Sequence, residues 1–182
     1  MTSALERAGI RVIDTDVIAR KIVEPGRPAW HALVNAFGLA VTDADGLIDR
    51  KFLAAVAFSN ATALRRLNAI THGSIGTEVL RALDEAKNVH YAVAVPLFRP
   101  EHRTLFRLSE VWATEVEPEV AVSRLIEYRG FSEEDALNRI KSQISNSQRA
   151  AIVDVVIPNN GSIDALENHI KSLLLERGID FD

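Results

Sequence analysis

Four short runs of apolar, largely β-branched residues alternate with longer helical patterns, and this alternation constrains the fold more than any other feature. The runs are Ile10 to Asp14, Val89 to Pro96, Val111 to Val116 and Ile152 to Ile157. Short, bounded runs of this kind predict buried strands. Strands that alternate with helices pair in parallel, so the sequence predicts an α/β fold with helices on both faces of a parallel sheet. Ligands of such sheets bind at the carboxyl ends of the strands.

The helical patterns between these runs carry recognisable start signals. They are predicted over residues 16–24, 28–37, 60–86, 118–128, 132–144 and 162–177. Asn60 and Ser162 are good N-cap residues, and Ser132 with Asp135 forms a pair similar to a capping box. We therefore expect helices to begin at these positions.

The chain is predicted to form a single domain over residues 1–182. No strand pattern lies between residues 25 and 86, so this segment is expected to be a helical insertion. Residues 127–149 form a second, smaller helical excursion. The remaining segments, 1–24, 87–126 and 150–182, are expected to build the α/β core.

Composition excludes several classes of protein. The chain has no cysteine, which rules out a disulfide framework, a thiolate nucleophile and a cysteine zinc site. Its net charge of -4 gives no overall attraction to nucleic acid. No apolar run approaches the length of a bilayer span, and the first residues, with Glu6 and Arg7, do not form a signal peptide. We expect a soluble, cytoplasmic protein with neither a membrane nor a nucleic-acid partner.

Two carboxylates follow the first predicted strand, in the sequence Asp14-Thr15-Asp16. At the carboxyl end of a strand, such a group can accept a proton or bind the water shell of a metal ion. An aspartate after a strand is also a common N-cap of the next helix, and on residue type alone this is the more frequent role for Asp16. Position leaves both interpretations open.

A series of short motifs runs in one order along nearly the whole chain. They are Asp14 to Arg20, Val23 to Ala29, Phe37-Gly38, Asp45 to Arg50, Phe58, Leu67 to His72, Val95-Pro96-Leu97, Arg124-Leu125, Ser132-Glu133-Glu134, Arg139-Ile140, Gln143 and Asn159-Asn160-Gly161. In order and approximate spacing this series resembles the motifs of dephospho-CoA kinases. Each motif is weak alone, whereas the collinear series is specific.

The resemblance implies a P-loop kinase-like fold, a three-layer parallel α/β sheet with a helical substrate-binding insertion at 25–86 and a small lid at 127–149. It implies transfer of the ATP γ-phosphate to the ribose 3′-hydroxyl of dephospho-CoA, with ATP and Mg²⁺ as cofactors. No residue of this chain is assigned as a metal ligand. The matched positions are Asp16 for the catalytic carboxylate; Asp14, Arg20 and His72 for the acceptor side; Arg129 and Arg149 for the lid over the triphosphate; and Asn160 and Gly161 for the loop that approaches adenine.

Each matched residue also has an ordinary structural explanation. His72 could balance the dipole at the end of its helix, and Asn160-Gly161 could be a simple turn. Solvated arginine on a helix face is the default for Arg124, Arg129 and Arg139. After His72 the chain reads Gly73-Ser74-Ile75-Gly76 where the family usually has a proline and an arginine, so we expect a looser helix and weaker substrate binding there.

One motif that the resemblance requires is missing from the 182 residues, namely Gly-x-x-x-x-Gly-Lys-Ser/Thr. The backbone N–H groups and lysine of that loop hold the phosphates beside Mg²⁺. Thr2 to Gly9 match the helix that follows the loop, so we expect the central first strand and the loop to be absent and ATP binding to be in doubt. Two interpretations stay open: a dephospho-CoA kinase whose start lies at an internal methionine, or a non-catalytic relative that binds a nucleotide, a CoA-like ligand or a protein.

A missing central strand would leave its buried neighbours without a ladder partner. An unpaired buried backbone group costs roughly 1–3 kcal/mol, so several would rival the roughly 5–15 kcal/mol stability of a domain. Three forms of compensation are open. The runs Val89 to Val95 and Val111 to Val116 could pair with one another, a partner chain or a second copy could donate a strand, or the chain could be part of a longer protein.

Overall fold

The chain divides into two compact units in a computed structural model that describes residues 1–86 and 89–179. Unit 1 comprises Met1–Ile10 with Arg99–Asp182, and unit 2 comprises Arg11–Phe98. Five residues lie outside the described part of the chain, namely 87, 88 and 180–182. They belong to the ends of the predicted core segments 87–126 and 150–182.

All described strands pair in parallel, as the sequence predicts. In unit 2, β1 (Arg11–Asp14) pairs with β2 (Tyr91–Ala94). In unit 1, β3 (Trp112–Glu115) pairs with β4 (Val155–Pro158). Each strand overlaps one of the four predicted runs, so the alternation of strands and helices is confirmed. The fold is an α/β fold of parallel strands and helices.

The described residues also form ten α-helices and one turn of 3-10 helix at Leu39–Val41. The six helices predicted from patterns are present, and α1 lies where the resemblance implies a helix, at Thr2 to Gly9. Three short helices, α4, α6 and α9, were not predicted. The helices are α1 (Thr2–Arg7), α2 (Thr15–Lys21), α3 (Pro28–Phe37), α4 (Arg50–Phe58), α5 (Ala61–Glu85), α6 (Pro100–Leu105), α7 (Pro118–Arg129), α8 (Glu133–Lys141), α9 (Asn146–Ala150) and α10 (Ile163–Leu175). None of these helices is both long and apolar enough to cross a bilayer.

Side-chain caps begin three of the helices where the sequence predicts. The Asn60 Oδ1 atom accepts the Thr62 N–H at 2.7 Å, and the Ser162 hydroxyl accepts the Ala165 N–H at 3.2 Å. The Ser132 hydroxyl accepts the Asp135 N–H at 3.1 Å and donates to the Asp135 carboxylate at 2.7 Å. These bonds satisfy backbone donors that a helix N-terminus otherwise leaves unpaired, so local sequence determines these helix starts.

The segment 25–86 of unit 2 is helical, as predicted, and its only extended pairing is an isolated bridge between Thr42 and Ile48. Its core is a cluster of the buried side chains Leu33, Val41 and Leu53. The long helix α5 packs against α2, α3 and α4, and it continues without a break through both of its glycines.

Two acidic side chains fix the start of β3 in unit 1. Glu110 binds the Arg177 guanidinium in a bidentate ion pair at 2.5 and 2.6 Å, and that guanidinium lies 4.9 Å above the Trp112 ring. Asp154 accepts the Val111 N–H at 2.7 Å and pairs with Arg103. The bond from Arg177 lowers the pKa of Glu110, and the Val111 N–H, followed by Arg103, lowers the pKa of Asp154.

These pKa shifts predict that unit 1 loses stability in acid. Both carboxyls have folded pKa values below their ordinary values of 4.5 and 3.8, so their stabilisation is complete above about pH 4.5 and is lost as the pH falls through the lowered values. Urea unfolding followed by Trp112 fluorescence in a Trp30→Phe background measures this dependence. Asp154→Asn should weaken unit 1 near neutral pH and flatten the acid slope, whereas Glu127→Gln, which removes an exposed carboxylate from α7 of the same unit, should do neither. Identical slopes for wild type and Asp154→Asn would contradict the prediction.

The two sheets remain separate, with two strands in each. Among the described strands, β2 pairs only with β1, and β3 pairs only with β4. Pairing of the runs Val89 to Val95 and Val111 to Val116 with one another, one of the three compensations considered, is therefore wrong. One edge of β2 and one edge of β3 have no strand partner in the described part of the chain. Such edges present backbone N–H and C=O groups to an incoming strand.

Candidate functional site

The predicted site residues fall into two groups, one on each unit. Unit 2 holds Asp14, Asp16, Arg20 and His72, and unit 1 holds Arg129, Arg149, Asn160 and Gly161. Within each group, some side chains form hydrogen bonds to the rest of the protein. Others have no partner among the described residues and are available to a ligand.

In unit 2, the N-cap of helix α2 is Asp14, not Asp16. One Asp14 oxygen accepts the N–H groups of Asp16 at 2.8 Å and Val17 at 3.3 Å. Asp16 is the second residue of the helix and is exposed, and its carboxylate has no hydrogen bond or ion pair within the described residues. The N-cap interpretation of Asp16 is therefore wrong. Its carboxylate is available at the carboxyl end of β1.

Thr15 holds this carboxylate in place. Its side chain is 8% exposed, and its hydroxyl donates a 2.8 Å hydrogen bond to the carbonyl oxygen of Ala94, the last residue of β2. The bond ties the start of α2 to the end of the neighbouring strand. Sequence reasoning gave Thr15 no role, although a hydroxyl between two carboxylates at a strand end was a usable signal.

Arg20 and His72 lie on two helices that pack together, α2 and α5. Both side chains lack hydrogen-bond and ion-pair partners within the described residues. The explanation of His72 as a partner of a helix C-terminus is wrong, because α5 continues to Glu85 and His72 lies near its middle. Unit 2 therefore presents a free carboxylate, guanidinium and imidazole on adjoining helices.

In unit 1, the loop after β4 is held by the helix that follows β3. The Arg124 guanidinium on α7 donates to the carbonyl oxygens of Asn159 at 2.6 Å and Gly161 at 2.9 Å. The Asn160 Oδ1 atom accepts the Glu117 N–H at 2.8 Å. The interpretation of Arg124 as a solvated side chain is wrong, because both of its terminal nitrogens bind backbone.

Neither the backbone nor the packing around Gly161 requires a glycine. Its φ lies outside the left-handed region, and a Cβ atom placed there would meet only the Ala165 Cβ at 3.6 Å, an ordinary contact. Both Asn160 and Gly161 are exposed. The fold therefore does not require a glycine at position 161.

Arg149 is anchored within its own segment. Its Nη1 atom donates to the Asn146 Oδ1 atom at 2.9 Å, and the Asn146 amide in turn donates to the Val116 carbonyl oxygen at 3.0 Å. A second, longer bond joins Arg149 to the Ile144 carbonyl oxygen at 3.4 Å. These contacts hold the half-buried Arg149 beside the carboxyl end of β3.

An open cavity of about 300 Å³ lies between helices α7 and α8. Arg129, which ends α7, has no hydrogen-bond or ion-pair partner within the described residues, and Arg139 lies 5.5 Å above the Phe131 ring. The cavity lining contains three arginines and no acidic residue, which suits an anionic ligand. The lining residues are Ala121, Arg124, Leu125, Tyr128, Arg129, Arg139, Ile140 and Gln143.

The described residues do not form a metal site of their own. No three of their His, Asp or Glu side chains are grouped closely enough to hold an ion. One Asp14 oxygen is occupied by the helix cap, which leaves Asp16 as the free carboxylate beside it. The Mg²⁺ that the resemblance implies therefore has no built donor set in this part of the chain.

Comparisons with known proteins extend over both units. The family model of dephospho-CoA kinase matches residues 1–165. A dephospho-CoA kinase of Corynebacterium glutamicum is 42% identical over 176 residues, which cover 94% of this chain and 89% of that relative. The crystal structure of TT1252 from Thermus thermophilus matches with a TM-score of 0.75 at 25% identity, over 96% of this chain and 88% of the other. A dephospho-CoA kinase from Campylobacter jejuni matches with a TM-score of 0.68 at 25% identity, over 97% and 89%.

Proposed function

Because this chain belongs to the dephospho-CoA kinase family, we propose that it carries the acceptor side, the catalytic carboxylate and the lid for phosphorylation of the ribose 3′-hydroxyl of dephospho-CoA. The reaction uses ATP and belongs to coenzyme A biosynthesis in the cytoplasm. The observation that supports the proposal best is the Asp16 carboxylate, which has no partner among the described residues and lies at the carboxyl end of β1.

Asp16 acts as the general base in this proposal. Its carboxylate accepts the proton of the 3′-hydroxyl while that oxygen bonds to the γ-phosphorus and the bond from phosphorus to the leaving oxygen of ADP breaks. The Thr15 hydroxyl and the Asp14 cap fix the backbone beneath it. A base held in this way loses little conformational freedom when the substrate binds.

The acceptor is bound by the other free side chains of unit 2. Arg20 and Asp14 lie at the two ends of α2, and His72 lies on the helix that packs against it. A guanidinium suits the phosphates of dephospho-CoA because its planar donors bind two oxygens at once. Asp14 keeps one carboxylate oxygen that does not take part in the cap.

ATP is bound by unit 1 in the proposal. Arg129 and Arg149 contact the triphosphate, since both are cationic and Arg129 has no partner in the described part of the chain. Asn160 and Gly161 contact the adenine, since both are exposed and Gly161 leaves room for close approach. We derive no step through Mg²⁺, because the described residues do not supply its ligands.

The segments have separate roles in this proposal. Residues 25–86 bind the acceptor, residues 127–149 form the lid, and 1–24, 87–126 and 150–182 form a three-layer core whose central strand is not among these residues. β2 and β3 each pair with only one described strand, which supports the proposal that the central strand is not among these residues. A strand at one of these edges comes from a second copy of this chain, from a partner chain or from the rest of a longer protein. Light scattering on the purified chain would detect the first of these as an oligomer.

The 182 residues alone are expected to give no ATP-dependent phosphorylation of dephospho-CoA above background. They contain no Gly-x-x-x-x-Gly-Lys-Ser/Thr loop to hold the phosphates. The test compares this chain with a version extended before Met1 by a short apolar strand and such a loop, and measures conversion of dephospho-CoA to CoA. We expect product only from the extended chain. Replacing the lysine of the added loop by alanine should abolish it.

Robust turnover by the 182-residue chain would refute the claim that the loop is indispensable. An extended chain that binds dephospho-CoA and ATP without transfer would instead support the alternative, a non-catalytic relative that binds a nucleotide or CoA-like ligand. A non-catalytic relative could instead bind a protein, and the free edges of β2 and β3 favour this role because they can pair with a strand of a partner.

A further inference from the structure

We infer that Arg124 is a positioning residue that fixes residues 159–162 to helix α7, so that this loop keeps one conformation when a nucleotide base approaches it. The inference rests on the proposed function, because that function supplies the ligand of the loop. Arg124 itself need not contact the nucleotide.

The geometry of the guanidinium carries the inference. Its two terminal nitrogens donate to carbonyl oxygens on either side of Asn160, at 2.6 Å to Asn159 and 2.9 Å to Gly161. A planar guanidinium holds its donors in a rigid fork, so the two acceptors are fixed relative to each other. Hydrogen bonds from a charged donor are also stronger than those between neutral groups.

The bonds beside Arg124 complete the attachment. The Asn159 N–H donates to the Glu115 carbonyl oxygen at 2.7 Å, and the Asn160 Oδ1 atom accepts the Glu117 N–H at 2.8 Å. Three successive loop residues are thus held by β3, by the N-cap of α7 and by Arg124. Because its Oδ1 atom accepts from backbone, Asn160 offers a ligand chiefly its amide Nδ2–H groups.

Arg124 also joins this loop to the cavity between α7 and α8. It is among the residues that line the cavity, and Arg129 lies five positions further along the same helix. A displacement of α7 would therefore move the two loop carbonyls together with Arg129 of the cavity lining. Arg124 couples the conformation of the loop to the position of α7, whose last residues belong to the proposed lid.

Hydrogen exchange of the loop amides tests the clamp without any ligand. In the 182-residue chain, Arg124→Ala should speed exchange of the Asn159 and Glu117 amides by about tenfold or more, because their hydrogen bonds to the Glu115 carbonyl oxygen and to Asn160 Oδ1 open when the loop loses two bonds from a charged donor. Arg124→Lys should give a smaller increase, because an ammonium group retains the charge but cannot match the planar two-pronged geometry. Arg65→Ala, which removes an exposed arginine from α5, should leave the loop unchanged.

Unchanged loop exchange in Arg124→Ala would overturn the inference. If that variant fails to fold, Arg124→Lys decides the question: loop exchange equal to that of wild type overturns the inference, and faster exchange confined to the loop supports it.

A second measurement separates positioning from a merely structural role. Chemical-shift titrations with adenosine and with tripolyphosphate use Arg124→Lys, because this variant keeps the positive charge that Arg124 contributes to the cavity lining. They should show about a threefold or greater loss of adenosine affinity, and less than about a twofold change for tripolyphosphate. Equal losses for both probes would overturn the inference. Failure of wild type to bind adenosine, with loop exchange altered as expected, would refute the proposed adenine site while supporting the clamp.

Discussion

Replacing Asp16 by asparagine is expected to lower kcat for phosphorylation of dephospho-CoA by about 10²- to 10⁴-fold, the usual contribution of a general base. The measurement is made in the extended chain that carries a phosphate-binding loop. Asparagine keeps the size of the side chain and its position on α2, but it cannot accept the proton of the 3′-hydroxyl. We therefore expect the KM for dephospho-CoA to change little.

A carboxylate in the first turn of a helix also interacts with the helix dipole, by about 0.3–1 kcal/mol. The control for this effect is Asp164→Asn, since Asp164 is the second residue of α10 as Asp16 is the second residue of α2. Both variants should have nearly the same stability loss, and only Asp16→Asn should lose activity. If Asp16→Asn kept more than about a tenth of the wild-type kcat, Asp16 would not be the base.

Asp14→Asn provides a contrast at the same strand end. Asparagine caps helices about as well as aspartate, so this variant should keep the start of α2 intact. Any loss of activity would then come from the free Asp14 oxygen on the acceptor side, and it should appear in KM rather than in kcat. A change in kcat would therefore report the role of Asp16, and a change in KM would report the role of Asp14.

The elements of this fold could be predicted because their signals are local. The four strand runs are short and apolar, and the caps at Asn60, Ser132 and Ser162 act within three residues of themselves. The separate two-stranded sheets could not be predicted, because strand pairing depends on residues far apart in the chain.

The candidate site shows where local reasoning fails. Whether Asp14 or Asp16 caps α2 depends on the residue at which α2 begins, and the boundaries of helices and strands are the least certain part of a sequence pattern. Arg124 reaches carbonyl groups 35 and 37 residues away, which no local pattern shows. The interpretation of His72 as a helix-end residue conflicts with the helix predicted over 60–86, which α5 confirms and in which His72 lies near the middle.

Replacing Leu33 by alanine is expected to destabilise unit 2 by about 2–5 kcal/mol, because the lost side chain leaves a cavity in a close-packed cluster. Leu33 is fully buried, and its neighbours in the cluster include Val41 and Leu53. A loss of that size is a large part of the roughly 5–15 kcal/mol stability of a domain. Urea unfolding followed by Trp30 fluorescence, in a Trp112→Phe background, measures it.

Leu39→Ala makes the same chemical change at a side chain that is 71% exposed, and it should alter stability by less than about 0.5 kcal/mol. Helix propensity cannot explain a loss at Leu33, because alanine is the better helix former. Since α3 packs against α5, which carries His72, loosening this cluster should also weaken binding of dephospho-CoA under conditions where the rest of the chain stays folded. Equal stabilities for the two variants would show that this cluster is not the core of the acceptor-binding segment.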